Sequence, residues 1–126
     1  MIRQELNFEG PAAQIFDLLT NSSVFSEVTG NAPTDIGKEE GTKFSCFGGM
    51  IHGRTIELEE DKRIILAWRA KNWENGCYSI VSFDITDHGP TSTLILTHTG
   101  FSPELQEHLE AGWHENYWNP IKKYLQ

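Results

Sequence analysis

The sequence predicts an α+β fold: a curved antiparallel sheet of about six or seven strands around one long carboxyl-terminal helix, with two short helices after the first strand. Large apolar side chains recur at helical spacing within residues 103–125, at Leu105, Leu109, Trp113, Tyr117 and Ile121 with Tyr124 after them, which paints a broad stripe on a long helix. Between residues 37 and 99 the period changes to two, and glycine-rich turns punctuate the chain. Those turns join neighbouring strands without crossover connections, so the pairing is antiparallel. A stripe that wide must bury itself, and the sheet is its simplest partner.

Residues 2–8 alternate as Ile2, Gln4, Leu6 and Phe8, a weak first strand. Pro11 opens a short amphipathic helix carrying Ile15, Phe16, Leu18 and Leu19; Asn21 and Ser22 break it, and residues 22–29 form a second piece that Gly30 and Pro33 end. TKFSCF follows the charged turn at 37–41, and Gly48 and Gly49 make the next turn before MIHGRTIELEE. Gly53 marks a bulge or a close approach in that strand. RIILAWRA sets Ile64, Leu66 and Trp68 on one face and Arg69 on the other. After the Asn75-Gly76 turn, CYSIVSFDI and TSTLILTHT are the last strands. Ser102 suits the cap of the final helix, Pro103 its first turn, Glu104 and Glu107 its positive end, and Lys122 and Lys123 its negative end. Pro120 cannot donate to the carbonyl of Asn116, which predicts a kink at residues 116–119, a bend flanked by Tyr117 and Trp118 that could act as a lid over one end of a pocket.

With 126 residues, 38% of them hydrophobic, and no linker or repeat, residues 1–126 read as one domain with a real core. A net charge of −8 with scattered Lys and Arg argues against nucleic acid or an anionic membrane surface as partner. MIRQELNFEG has no apolar run of a signal peptide, and no segment has the length and hydropathy of a membrane span, so a cytoplasmic location without membrane insertion is expected. Cys46 and Cys77 lack CxxC or Cys/His spacing and read as buried free thiols within strands.

The run GTKFSCFGGMIHGRTIELEEDKRIILAWRAKNWENG, then SIVSFDI, LILTHTGF and GWHENYWNPIKKYL, resembles the AHSA family of activators of heat-shock chaperone ATPase, within the START-like or SRPBCC superfamily. The most specific pieces are residues 49–53, residues 64–69, the Thr97-His98 pair and the Gly112-Trp113 pair; Asn31, Ala32 and Pro33 also match the carboxyl-terminal domain of the eukaryotic activator. The resemblance implies a helix-grip fold. It also implies either a hydrophobic molecule held between sheet and helix, or a heat-shock chaperone as partner.

A curved sheet and a helix can leave an apolar pocket between them, although bulky residues fill such space equally well. Strand alternation nominates Phe44, Cys46, Ile56, Leu66, Trp68, Val81, Phe83, Leu94, Leu96 and His98 for it, and the helix contributes Leu109, Trp113 and Tyr117; a bulge would flip a whole set. His98 shares the face of Leu94 and Leu96 and is expected to be neutral, either orienting a ligand's polar head or paired as a structural histidine. Tyr78 is a second candidate for orienting a ligand. Arg54 and His52 read as rim residues. Glu110 and His114 share a helix face, where a surface ion pair is expected rather than a metal site. No GxSxG, phosphate loop or paired carboxylates point to catalysis, and no cofactor is expected. The leading expectation is a small soluble domain that binds a hydrophobic or amphipathic, lipid-like small molecule without catalysis. The alternatives are a co-chaperone-like module that stimulates a heat-shock chaperone ATPase, and a cyclase-like enzyme.

Overall fold

The structure, a computed structural model, describes residues 1–126. Strand β1 (Ile2–Phe8) is followed by helices α1 (Ala12–Thr20) and α2 (Ser22–Val28), and then by β2 (Lys43–Cys46), β3 (Ile51–Glu59), β4 (Arg63–Ala70), β5 (Ser79–Asp87) and β6 (Ser92–Thr99). The carboxyl-terminal helix occupies residues 103–124 as a 3-10 turn (Pro103–Leu105), α3 (Gln106–Trp113), a π turn (His114–Trp118) and α4 (Asn119–Tyr124). All six strands form one antiparallel sheet in the order β1-β6-β5-β4-β3-β2. The expected α+β helix-grip architecture is present, with six strands.

Alternation decides which side chains reach the helix. Leu66, Val81, His98 and Ile2 form one inward row across four strands, and Ile64, Phe83, Leu96 and Gln4 form the next. Most of these are buried, as are Trp113, Tyr117, Trp118 and Ile121 from the helix that covers them. A large ring hides about 200 Å² from water, worth about 5 kcal/mol before ordering costs, so these rows hold the helix down. Helix α1 lies against β5 and β6, its first amide donating to Asp87 Oδ1 at 2.9 Å. Asn21 caps α2 by accepting from the Val24 amide at 3.2 Å.

Some expectations fail locally. The β3–β4 register slips between Thr55 and Glu57, leaving Thr55 3% exposed and Ile56 47% exposed. The added residue turns Ile56 outward and removes it from the inward set. Gly53 lies before that bulge and serves a close approach: a Cβ there would run into the carbonyl oxygen of Ala67. Cys77 and Tyr78 lie in the loop before β5 and are exposed, so Cys77 is not a buried strand thiol. Ser102 makes no side-chain cap, because the helix opens with a 3-10 turn in which the Leu105 amide reaches the Ser102 carbonyl. Glu110 forms no ion pair with His114 and accepts instead from Gln106 Nε2 at 3.0 Å.

The interruption expected before Pro120 takes the form of a π turn, in which the Asn119 amide donates to the His114 carbonyl. Proline has no amide hydrogen to continue the regular ladder, and a widened turn absorbs the gap. Within that turn the consecutive residues Tyr117 and Trp118 are both buried. The expected stripe, read at strict i, i+4 spacing, lacks Trp118, although a broad helical stripe also takes in sequence neighbours, as Ile15 and Phe16 of α1 show. No helix of the structure is long and apolar enough to cross a membrane.

Candidate functional site

The helix is tied to one side of the sheet by polar contacts. Gln4, inward on β1, accepts from Trp118 Nε1 at 2.7 Å and donates to the Glu110 carbonyl at 3.2 Å. His98 on β6 accepts at Nδ1 from Trp113 Nε1 at 3.1 Å. Its Nε2 lies 2.8 Å from Ser79 Oγ, and that hydroxyl donates to the Trp68 carbonyl at 2.8 Å. Because the hydroxyl proton is committed to the carbonyl, Nε2 carries the imidazole proton and donates to Ser79. Both ring nitrogens are satisfied within the protein, which is the paired structural histidine rather than one free to orient a ligand.

Aromatic rings fill the middle of the space between sheet and helix. Trp113 stacks on Trp68 at 5.5 Å and on Trp118 at 5.6 Å, and Phe83 meets both Trp113 and Trp118 edge-on. Room remains toward the far ends of β3 and β4, away from the contacts at β1 and β6. There a partly open cavity of about 560 Å³ lies between β4 and α3, within the range that small ligands occupy. Trp68, Ala70 and Ile51 line its sheet side. Leu105, Leu109, Gly112, Trp113 and Tyr117 line its helix side. Its outer walls are Phe47 and Met50 on one flank and Trp73 on the other, with Asn72, His108 and Asn116 as its polar members.

Both flanking walls are built by unusual local structure. Phe47, Gly48 and Gly49 have φ of 55°, 66° and 92° in succession, a left-handed turn that costs a phenylalanine about 1 to 2 kcal/mol. The turn brings Phe47 onto Tyr117 at 5.2 Å and onto Phe25 at 5.7 Å. On the opposite flank, Arg69 is only 5% exposed and grips the loop after β4. Its guanidinium donates to the carbonyls of Trp73 at 2.6 Å, Glu74 at 2.9 Å and Cys77 at 3.3 Å. That grip holds Trp73 edge-on to Trp68 at 5.8 Å.

Of the residues nominated from sequence, Trp68, Leu109, Trp113 and Tyr117 line the cavity together. Val81, Phe83, Leu94, Leu96 and His98 point inward but are sealed beneath the rings. Phe44 and Leu66 face a cleft of about 20 Å³ beside α1, and Cys46 is buried behind Tyr117. Ile56 is outside, and Tyr78 stands on the opposite face near the Arg69 guanidinium at 5.6 Å. Phe47, Met50, Asn72, Trp73, Gly112 and Asn116 were not nominated. Gly112 carried a visible signal, since glycine is a poor choice inside a helix.

Burial keeps three titratable groups, Cys46, Tyr117 and His98, in their neutral forms. It pushes the Cys46 thiol up to about 12 against a weaker opposing hydrogen bond from Tyr117, and raises the Tyr117 phenol well above its ordinary value. Trp68 Nε1 donates to that phenol oxygen at 3.4 Å, and Cys46 Sγ lies 3.9 Å from it. Burial lowers His98 to about 4, with a smaller contribution from the amino terminus. At neutral pH Cys46, Tyr117 and His98 therefore supply hydrogen bonds and packing, with no thiolate, phenolate or imidazolium among the three.

The profile of the family described as "Activator of Hsp90 ATPase homolog 1-like protein" matches residues 9–126. A mouse protein named activator of 90 kDa heat shock protein ATPase homolog 2 is 25% identical over 119 residues, 94% of this chain and 36% of that protein. A Dictyostelium discoideum activator of 90 kDa heat shock protein ATPase homolog is 35% identical over 85 residues, 67% of this chain and 22% of its own length. The chain thus spans about a third or less of these curated relatives. A crystal structure described as an HSP90 activator from Plasmodium falciparum superposes with a TM-score of 0.92 at 21% identity, covering 98% of this chain and 94% of that one.

Proposed function

The chain belongs to the AHSA1 family, and from that premise we propose that it holds an apolar or amphipathic small molecule in the cavity between β4 and α3. The observation that carries this reading is room of about 560 Å³ between sheet and helix, walled by Trp68, Trp73, Trp113 and Phe47. A guest that hides about 300 Å² of apolar area there gains about 7 kcal/mol before ordering costs, enough for a specific complex. His98 has both nitrogens committed to Trp113 and Ser79, and Cys46 and Tyr117 hold their protons, which favours binding over a cyclase-like reaction. The two free thiols, one of them exposed, suit a reducing cytoplasmic setting. Native mass spectrometry of protein purified from its own source tests the reading. A retained small molecule, released on denaturation, is expected; a bare mass, with no shift in the presence of apolar compounds, would refute it.

A second reading has its own support. The mouse and Dictyostelium discoideum relatives are named activators of the 90 kDa heat-shock chaperone ATPase, and the solved chain of the Plasmodium falciparum protein described as an HSP90 activator is covered over 94%. In this reading the domain docks on a chaperone through its outer surface, where Tyr78 and Ile80 are exposed. Adding the chain to the matching chaperone and following ATP hydrolysis separates the two: acceleration that survives filling the cavity favours docking.

A further inference from the structure

Gly112 is the residue the fold itself does not explain. It lies in the interior of a 22-residue helical segment, where glycine is disfavoured against alanine because its unfolded backbone has more freedom to lose. Its backbone is ordinary helix, and an added Cβ would meet only Asn116 Nδ2, at a comfortable 3.7 Å. Gly53 is the contrast, since the carbonyl of Ala67 forbids any side chain there. Packing therefore leaves Gly112 free to be alanine, yet it lines the cavity, where the missing Cβ exposes a strip of helix backbone.

Charge narrows the guest further. No Lys, Arg, Asp or Glu lines the cavity, so a charged guest would give up part of its hydration there without an ammonium, guanidinium or carboxylate to compensate. Asn72, His108 and Asn116 are exposed polar members of the lining, and their side chains make no hydrogen bond within the protein, so they are available to a neutral polar group. Phe47, Trp68, Trp73 and Trp113 wall the cavity with aromatic rings, against which flat rings stack well, and we infer that the guest is an uncharged, flat, ring-based molecule seated against the bare backbone at Gly112. This rests on the cavity reading above and adds the class of guest and the residue that admits it.

Two fluorescent probes with one ring system test it: neutral N-phenyl-1-naphthylamine and its sulfonate-bearing counterpart 1-anilinonaphthalene-8-sulfonate. The neutral probe should bind about tenfold more tightly or better, and the cavity-filling variant Ala70→Leu should weaken it. Gly112→Ala should raise the melting temperature by about 3 °C while weakening the neutral probe about fivefold, because the methyl occupies the strip. Equal binding of the sulfonate overturns the charge assignment, and unchanged binding to Gly112→Ala overturns the seat; neither result touches the cavity reading. Failure of both probes to bind the unaltered chain overturns the cavity reading itself.

Discussion

Trp113 donates its indole proton to His98 Nδ1 at 3.1 Å, deep inside the protein, and so fixes which imidazole nitrogen carries hydrogen. The proton on Nε2 then reaches Ser79, whose hydroxyl ends on the Trp68 carbonyl at 2.8 Å. One polar chain thus joins the helix to β6, β5 and β4. Trp113→Phe keeps an aromatic ring but orphans Nδ1, and a buried unmade hydrogen bond of this kind costs about 2 kcal/mol. Urea unfolding should show the loss as a lower midpoint with little change in slope.

His98 also sets an acid limit. Its folded value of about 4 lies below the ordinary 6.5, so the unfolded chain takes up the proton first as pH falls. The histidine's contribution is intact above about pH 6.5, declines between about 6.5 and 4, and is flat below, a total of about 3 kcal/mol. Stability measured by denaturant across that window should fall with acid. An NMR titration should find the His98 ring neutral at pH 5.5.

Arg69 should behave as the anchor of one cavity wall. Replacing it with methionine preserves much of the packing and removes the donors to Trp73, Glu74 and Cys77. Amides of residues 71–78 should exchange faster with solvent, and stability should drop by roughly 2 kcal/mol. Unchanged protection in that loop would contradict the assignment.

The bulge in β3 makes a paired test. Ile56→Lys should change stability by less than about 0.5 kcal/mol, because the residue stands on the outer face, 47% exposed, and a lysine there keeps its ammonium in water. Leu96→Ala, one strand face away from any solvent, should cost about 3 kcal/mol.

These contrasts show what was legible in the sequence. Period-two alternation placed Val81, Phe83, Leu94, Leu96 and His98 inward correctly, since one buried sheet face specifies register strongly. It could not show that tryptophans from the helix would seal them off, because volume filling depends on partners far apart in the chain. Ile56 is turned outward by one inserted residue, and Trp118 falls outside a stripe read at strict i, i+4 spacing although it is buried beside Tyr117. The flanking walls of the cavity, Phe47 and Trp73, sit in a left-handed turn and a gripped loop. Neither carries a periodic signal, whereas Trp68, Leu109, Trp113 and Tyr117 do.

Chemical-shift mapping with a neutral aromatic probe tests the central proposal most directly. Assigned amide and indole signals would be followed as N-phenyl-1-naphthylamine is added. The account predicts saturable shifts at Ala70, Trp73, Gly112 and Asn116 and at the Trp68 indole, with the polar depression around Lys62 and Asp87 silent. Shifts confined to Tyr78 and Ile80 on the outer face, or spread evenly over the surface, would contradict it.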